Sequence, residues 1–137
     1  AGTATPMVIS GPAATELADL MISWGMSVQV VGDDVRAAAA LKIVRSYGLK
    51  AISIATYEMI RAAHLFDIEE AVLASSADFL GWPGYPDWAR TVIASTAIHA
   101  GRRAQEMEEV METIEDAKLD PTFARAVRQA FKKIESA

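Results

Sequence analysis

The sequence predicts a mainly α protein, a bundle of long helices preceded by a small strand-helix-strand segment. Three observations carry this reading. Ala37 to Ala63 runs without a proline and places Leu41, Val44, Ile52, Met59 and Ile60 on one wide apolar stripe. A second run of helical character extends from Asp87 to about Ala117. Upstream, Pro6 to Ser10 (P-M-V-I-S) and Ser27 to Gly32 (S-V-Q-V-V-G) are short β-branched runs bounded by turn residues, the pattern of strands.

Each element has a local reason. Between the strands, Ala13 to Trp24 sets Leu17, Leu20, Met21 and Trp24 at helical spacing, with Gly25 placed to end the helix. Two strands and one helix cannot cover both faces of a sheet, so this segment calls for further strands or an irregular packing partner. Asp33 and Asp34 can cap the first long helix, in which Gly48 is the weak residue. Asp67 is expected to cap a short helix reaching about Ser75, and Gly81-Trp82-Pro83-Gly84-Tyr85-Pro86 is a rigid aromatic turn. Asp120-Pro121 starts the last helix, with Pro121 at its first position and Phe123, Val127, Ala130, Phe131 and Ile134 on the buried side. The 26 alanines let helices approach closely, and such faces suit packing between subunits.

Composition limits the function classes. At 137 residues and 52% hydrophobic the chain can build one core. Thirteen Lys+Arg against 18 Asp+Glu give a net charge of −5, and the basic residues are scattered, which argues against a nucleic-acid partner. No cysteine is present, so disulfides, thiolate metal sites and thiol nucleophiles drop out. No apolar run approaches the roughly 18 residues that span a bilayer, and AGTATPMVISGP has neither the basic nor the apolar part of a leader. A cytoplasmic protein without a membrane partner is the expectation. The initial alanine suggests that processing or truncation removed what preceded it.

Lys42 stands in the first turns of the long helix behind four alanines, which leave room for a ligand. Ser46 and Lys50 follow at i+4 and i+8, and Ser53, Tyr57 and Glu58 extend the polar stripe. A lysine partly desolvated there can donate or accept a proton, and a hydroxyl one turn on can hold a substrate oxygen. The same pattern also suits a wet helix face on which Lys42 reaches solvent. His99, Arg102, Arg103 and Glu106 share one face, read either as surface ion pairs at i+3 and i+4 or as an arginine clamp for phosphate or carboxylate. His64 and His99 are too far apart, and too poor in neighbouring ligands, for the usual metal patterns. No G-x-G-x-x-G, phosphate loop or G-x-S-x-G occurs. Trp82, Tyr85 and Trp88 read better as a packing plug than as pocket lining.

The order S-G-P-A-A, W-G-M-S-V-Q-V-V-G, A-A-A-L-K-I-V-R-S, H-A-G-R-R-A-Q-E-M-E-E-V and L-D-P resembles the C-terminal part of phosphogluconate-dehydrogenase-like oxidoreductases. Within these it is similar to NAD(P)-dependent enzymes related to the β-hydroxyacid dehydrogenases. Ala39 to Ser46 and His99 to Val110 are the most specific segments. The resemblance implies a helical bundle of the 6-phosphogluconate dehydrogenase C-terminal-domain type over residues 35–137. Residues 1–34 would be the last part of a Rossmann domain. It also implies a homodimer formed through the helical domain, and NAD or NADP as cofactor of the intact parent.

In that family a lysine of the interdomain helix is the general acid/base, and Lys42 matches it. The family's substrate-binding asparagine falls on Ser46, and Lys50 on the same stripe is a second substrate-binding candidate. The family's glycines before the lysine fall on Arg36 and Ala38. A cofactor-facing Lys-Asp pair aligns with Gln105 and Glu106, which makes Glu106 a cofactor-binding candidate. The expected reaction is hydride transfer between NAD(P) and a small hydroxy acid or related carbonyl or imine compound. Lacking the dinucleotide fingerprint, the isolated chain is expected to be inactive and to bind no cofactor tightly. A stand-alone helical dimerisation module and a split catalytic subunit are the alternatives.

Overall fold

In the computed structural model, which describes residues 5–136, β1 (Met7–Ile9) and β2 (Val28–Val30) pair in parallel, Met7 opposite Val28 and Ile9 opposite Val30. α1 (Ala14–Ser23) connects them, as a parallel pair requires. Gly11 and Gly25, at φ +132° and +79°, make the turns before and after α1 in conformations that side chains resist. The chain divides into two compact units, with the boundary between Arg45 and Ser46. The first four residues, part of the segment in which no leader is expected, and the last lie outside the described residues.

The first unit buries Ala14 and Ala18 of α1, whereas the Leu17, Leu20 and Trp24 face is about half exposed or more. The apolar spacing therefore formed the helix without finding cover in a two-stranded sheet. α2 (Ala37–Leu65) begins in this unit. Its start is tied to β1: the Ser10 hydroxyl accepts from the Ala38 amide at 3.0 Å and donates to the Val35 carbonyl at 3.2 Å. Asp34 instead folds onto Arg36, its carboxylate accepting from the backbone amide at 2.8 Å and from the guanidinium. The side-chain cap of α2 is thus a serine 28 residues away rather than a neighbouring aspartate.

The second unit holds the rest of α2, α3 (Glu69–Leu80), α4 (Tyr85–Asp116) and α5 (Thr122–Glu135). Asp67 does not cap α3. It takes φ +56° and lets the Ile68 amide return to the Ala63 carbonyl, so it closes α2, and α3 runs on to Leu80. Ile60, Leu73, Tyr85 and Ala89 form a core joining α2, α3 and α4. Trp82, Tyr85 and Trp88 stack with centroids 5.3–5.7 Å apart beside it, the packing plug that the sequence suggested. Val44 and Ile52 of the predicted α2 stripe are about half exposed.

α4 and α5 pack antiparallel, since Arg128 meets Glu108 while Phe131 lies by Arg103. Ala100, Ala104, Met107 and Val110 are buried on α4, and Ala124, Val127 and Phe131 on α5. Two details of α5 differ from expectation. Pro121 is the cap rather than the first helical residue, with Asp120 accepting from the Thr122 amide at 2.8 Å. Phe123 is 61% exposed, its ring centroid 6.1 Å from that of Tyr47, because the strip facing α4 is set by Ala124, Val127 and Phe131, one residue round the helix. No helix of the described residues is long and apolar enough to cross a membrane.

Candidate functional site

The polar stripe of α2 does not behave as one surface. Lys42 is exposed in the second turn. Two turns on, Lys50 is buried and its ammonium donates to the Ser46 hydroxyl and meets Glu106 Oε2 of α4 at 3.0 Å. Ser53, also buried, donates to the Leu49 carbonyl at 2.8 Å. Three of the predicted site residues, Ser46, Lys50 and Glu106, are therefore gathered at one point of the second unit.

Glu106 is also held by Arg102, one turn earlier on α4. Burial alone would push its carboxyl up, but the Lys50 ammonium and the Arg102 guanidinium outweigh this and hold it below the usual glutamate range. Gln105, its neighbour in the family comparison of residues, is exposed. Among the described residues no group of three or more His, Cys, Asp or Glu is placed to hold a metal ion.

Arg103 departs from the i+3 pairing with Glu106. α4 breaks its helical geometry at His99 (φ −113°, ψ +16°), two residues before its single internal glycine, Gly101. Arg103 runs back past this break, as helical side chains lean toward the N-terminus, and reaches one turn beyond it. Its guanidinium donates to Thr96 Oγ1 and Ser95 Oγ, both at 2.7 Å, and lies 6.0 Å from the Phe131 ring centroid. Burial, reinforced by the adjacent charge of Arg102 and opposed by Glu106, pulls its pKa below the ordinary arginine value. Sequence reading missed Ser95 and Thr96; the i−7 spacing of Thr96 from Arg103, which returns to the same helix face, was the signal available.

A family model described as a domain of unknown function (DUF1932) matches residues 63–134. The chain belongs to the DUF1932 family. The matched span holds α3, α4 and α5, and with them Ser95, Thr96, Arg102, Arg103 and Glu106.

This DUF1932 chain is similar to MTH1747, a conserved protein of unknown function whose structure is described as similar to 3-hydroxyacid dehydrogenases. The two share 30% identity and a TM-score of 0.90 over 98% of this chain and 51% of the other. A conserved hypothetical protein from Sinorhizobium meliloti 1021 matches with a TM-score of 0.81 and 28% identity over 93% of this chain and 43% of its own. A curated 28.5 kDa protein of the 7S RNA 5′ region of Methanothermus fervidus is 26% identical over 94% of this chain and 51% of its length. The chain thus spans about half the length of these relatives. The mainly helical, dehydrogenase-like fold expected from sequence is the fold observed.

Proposed function

We propose that this chain is the helical part of an NAD(P)-dependent oxidoreductase acting on a small hydroxy acid or a related carbonyl or imine compound. Lys42 is its general acid/base. The observation that carries this reading is the match over nearly the whole chain to MTH1747, itself described as similar to 3-hydroxyacid dehydrogenases. The match to the DUF1932 model supports the helical assignment and leaves the substrate open.

The residues of this chain do not by themselves fit a dinucleotide. The sequence has no glycine-rich phosphate turn. The turn from β1 into α1, Ser10-Gly11-Pro12, has its hydroxyl committed to Val35 and Ala38. The hydride step is therefore assigned to no group of this chain. Its proposed contribution is the proton: a neutral Lys42 amine takes the substrate hydroxyl proton during oxidation, and the ammonium returns it to the carbonyl oxygen during reduction. Ser46 and Lys50 are the proposed substrate-binding groups. Ser46 accepts from Lys50, which leaves its own proton to donate to a substrate oxygen. Glu106 is the proposed cofactor-facing residue.

The test uses the whole protein with NAD or NADP and a panel of short 2- and 3-hydroxy acids. Lys42→Ala is expected to lower kcat by about 10²- to 10⁴-fold, the usual worth of a general acid/base, and to flatten its pH profile. Full turnover in that variant overturns the role of Lys42. We further propose a homodimer formed through the helical unit, supported by the exposure of Leu49, Ile52, Leu65, Phe66 and Phe79. Sedimentation as a monomer at micromolar concentration overturns it.

A further inference from the structure

Some helix hydroxyls in this protein settle on their own backbone. Ser53, Thr91 and Thr113 each donate to the carbonyl four residues earlier, at 2.8–3.0 Å. Ser95 and Thr96 do not. Both accept from Arg103, so each oxygen is engaged while its own proton is uncommitted among the described residues. Thr96 is fully buried and Ser95 half-buried, so these free donors lie in a partly desolvated place, where an unpaired O–H is costly.

Arg103 presents the complementary deficit. A guanidinium carries five N–H donors, and two are accounted for by the hydroxyls. Among the described residues no carboxylate bonds to it; Glu106, three residues on, is engaged by Lys50 and Arg102 instead. The Arg103 guanidinium lies over the Phe131 ring, 6.0 Å from its centroid, which favours the cation without using a donor. A partly buried cation that bonds to two hydroxyls and to no carboxylate among the described residues keeps donors free for an anion.

We propose that Arg103, Ser95 and Thr96 form a carboxylate-binding site on α4, at the break around His99. A carboxylate accepts from the remaining guanidinium N–H groups through one oxygen or both, and from the half-buried Ser95 hydroxyl, while the buried Thr96 hydroxyl holds the guanidinium in place. The break matters because it falls between the hydroxyls and the arginine that bridges them. The Lys50–Glu106–Arg102 cluster keeps Glu106 from occupying the place that the ligand takes. This site goes beyond the proton step assigned to Lys42 and does not depend on it.

The experiment follows the Arg103 side-chain Nε–H and the Thr96 backbone amide by NMR in this chain, titrated with 3-hydroxybutyrate and with 1,3-butanediol, which lacks the carboxylate. Saturable shifts with the acid and none with the diol are expected. Ser95→Ala should weaken binding by about tenfold, the loss of one hydrogen bond to a charged group, and Arg103→Lys by more. Ser95→Ala removes only a half-buried hydroxyl, so it reports binding even if Arg103→Lys fails to fold. No saturable shift, equal response to the diol, or unchanged affinity in Ser95→Ala overturns the proposal. The measurement involves no dinucleotide, so failed hydroxy-acid turnover in the whole protein leaves it standing, and failed binding leaves the role of Lys42 standing.

Discussion

Lys50 is a lysine that the sequence places on a polar stripe and the structure takes out of water. Its side chain is 9% exposed and its charge is met by Glu106, whose side chain is 35% exposed. Removing one partner of such a pair leaves a buried charge, whereas replacing the lysine with an apolar chain removes the need for the acid. Glu106→Gln should therefore destabilise the protein by about 2 kcal/mol, less than for a fully enclosed pair because Glu106 is partly screened by water. Lys50→Met should stay within about 1 kcal/mol of the parent, since Glu106 keeps Arg102. Urea denaturation of both variants and of the double variant checks this, and equal losses in the two single variants count against it. The sign of the pH dependence follows from the depressed carboxyl of Glu106. Its stabilisation is present above the ordinary glutamate value of about 4.3 and fades as pH falls through the lower folded value, so Glu106→Gln should flatten the acid limb of a stability-pH curve. Asp34, held down to about 2 by its Arg36 contacts, adds a similar acid-side dependence lower on the scale, between its ordinary 3.8 and about 2. Stability curves of Asp34→Asn against parent would show it. The Arg102–Glu106 pair was legible from its i+4 spacing, but Lys50 and Glu106 were not legible as a pair in the sequence, because they sit on different helices. What was legible was that both lie on polar faces worth examining.

At the scale of elements, local chemistry explains most boundaries. Gly25 and Gly81 close α1 and α3 with positive φ, and prolines precede or open the later helices. The misread element ends share a cause. Asp67 could cap a helix or end one, and only the return of the Ile68 amide to Ala63 decides that it ends α2. Asp34 could have capped α2, but Ser10 reaches that place from the end of β1. Gly48 remains an interior weakness in α2: a Cβ built there meets nothing within 4 Å. Gly48→Ala should stabilise the protein by about 1 kcal/mol, read as a rise in the urea midpoint at unchanged slope. A fall in the midpoint would show that glycine at this position does something other than tolerate the helix. Ser10→Ala should cost about 1 kcal/mol through the lost cap of α2, measured in the same way, and a neutral effect would mean that water replaces the hydroxyl.

Over the whole molecule, burial is uneven, and this sets where mutations are felt. Phe131 is fully buried between α4 and α5, whereas Phe123, eight residues earlier on the same helix, is 61% exposed. Phe131→Ala should cost about 3–5 kcal/mol and Phe123→Ala less than about 1, a contrast that thermal or chemical denaturation resolves directly. Similar losses at both would mean that the exposed ring is covered in solution. The exposed apolar residues of α1, Leu17, Leu20 and Trp24, belong to the same account. They have the spacing of a buried helix face, and the two-stranded sheet of this unit is too small to cover them.

What the sequence determined by itself was periodic and local. The 3.6-residue spacing of apolar side chains, the absence of proline over long runs, and glycine at turns specified a helical protein with a small β-α-β start. The order of its short segments marked a dehydrogenase-like helical domain. These signals are read along the chain because helix geometry relates residues three and four apart. The tertiary structure decided which of several exposed or buried places each polar residue took. It chose Lys50 rather than Lys42 for burial, gave Glu106 to Lys50 and Arg102, and sent Arg103 back to Ser95 and Thr96. The physical reason is that a charge's partner and its desolvation depend on which other element packs over it and where a helix breaks, and neither is fixed by spacing within a single helix.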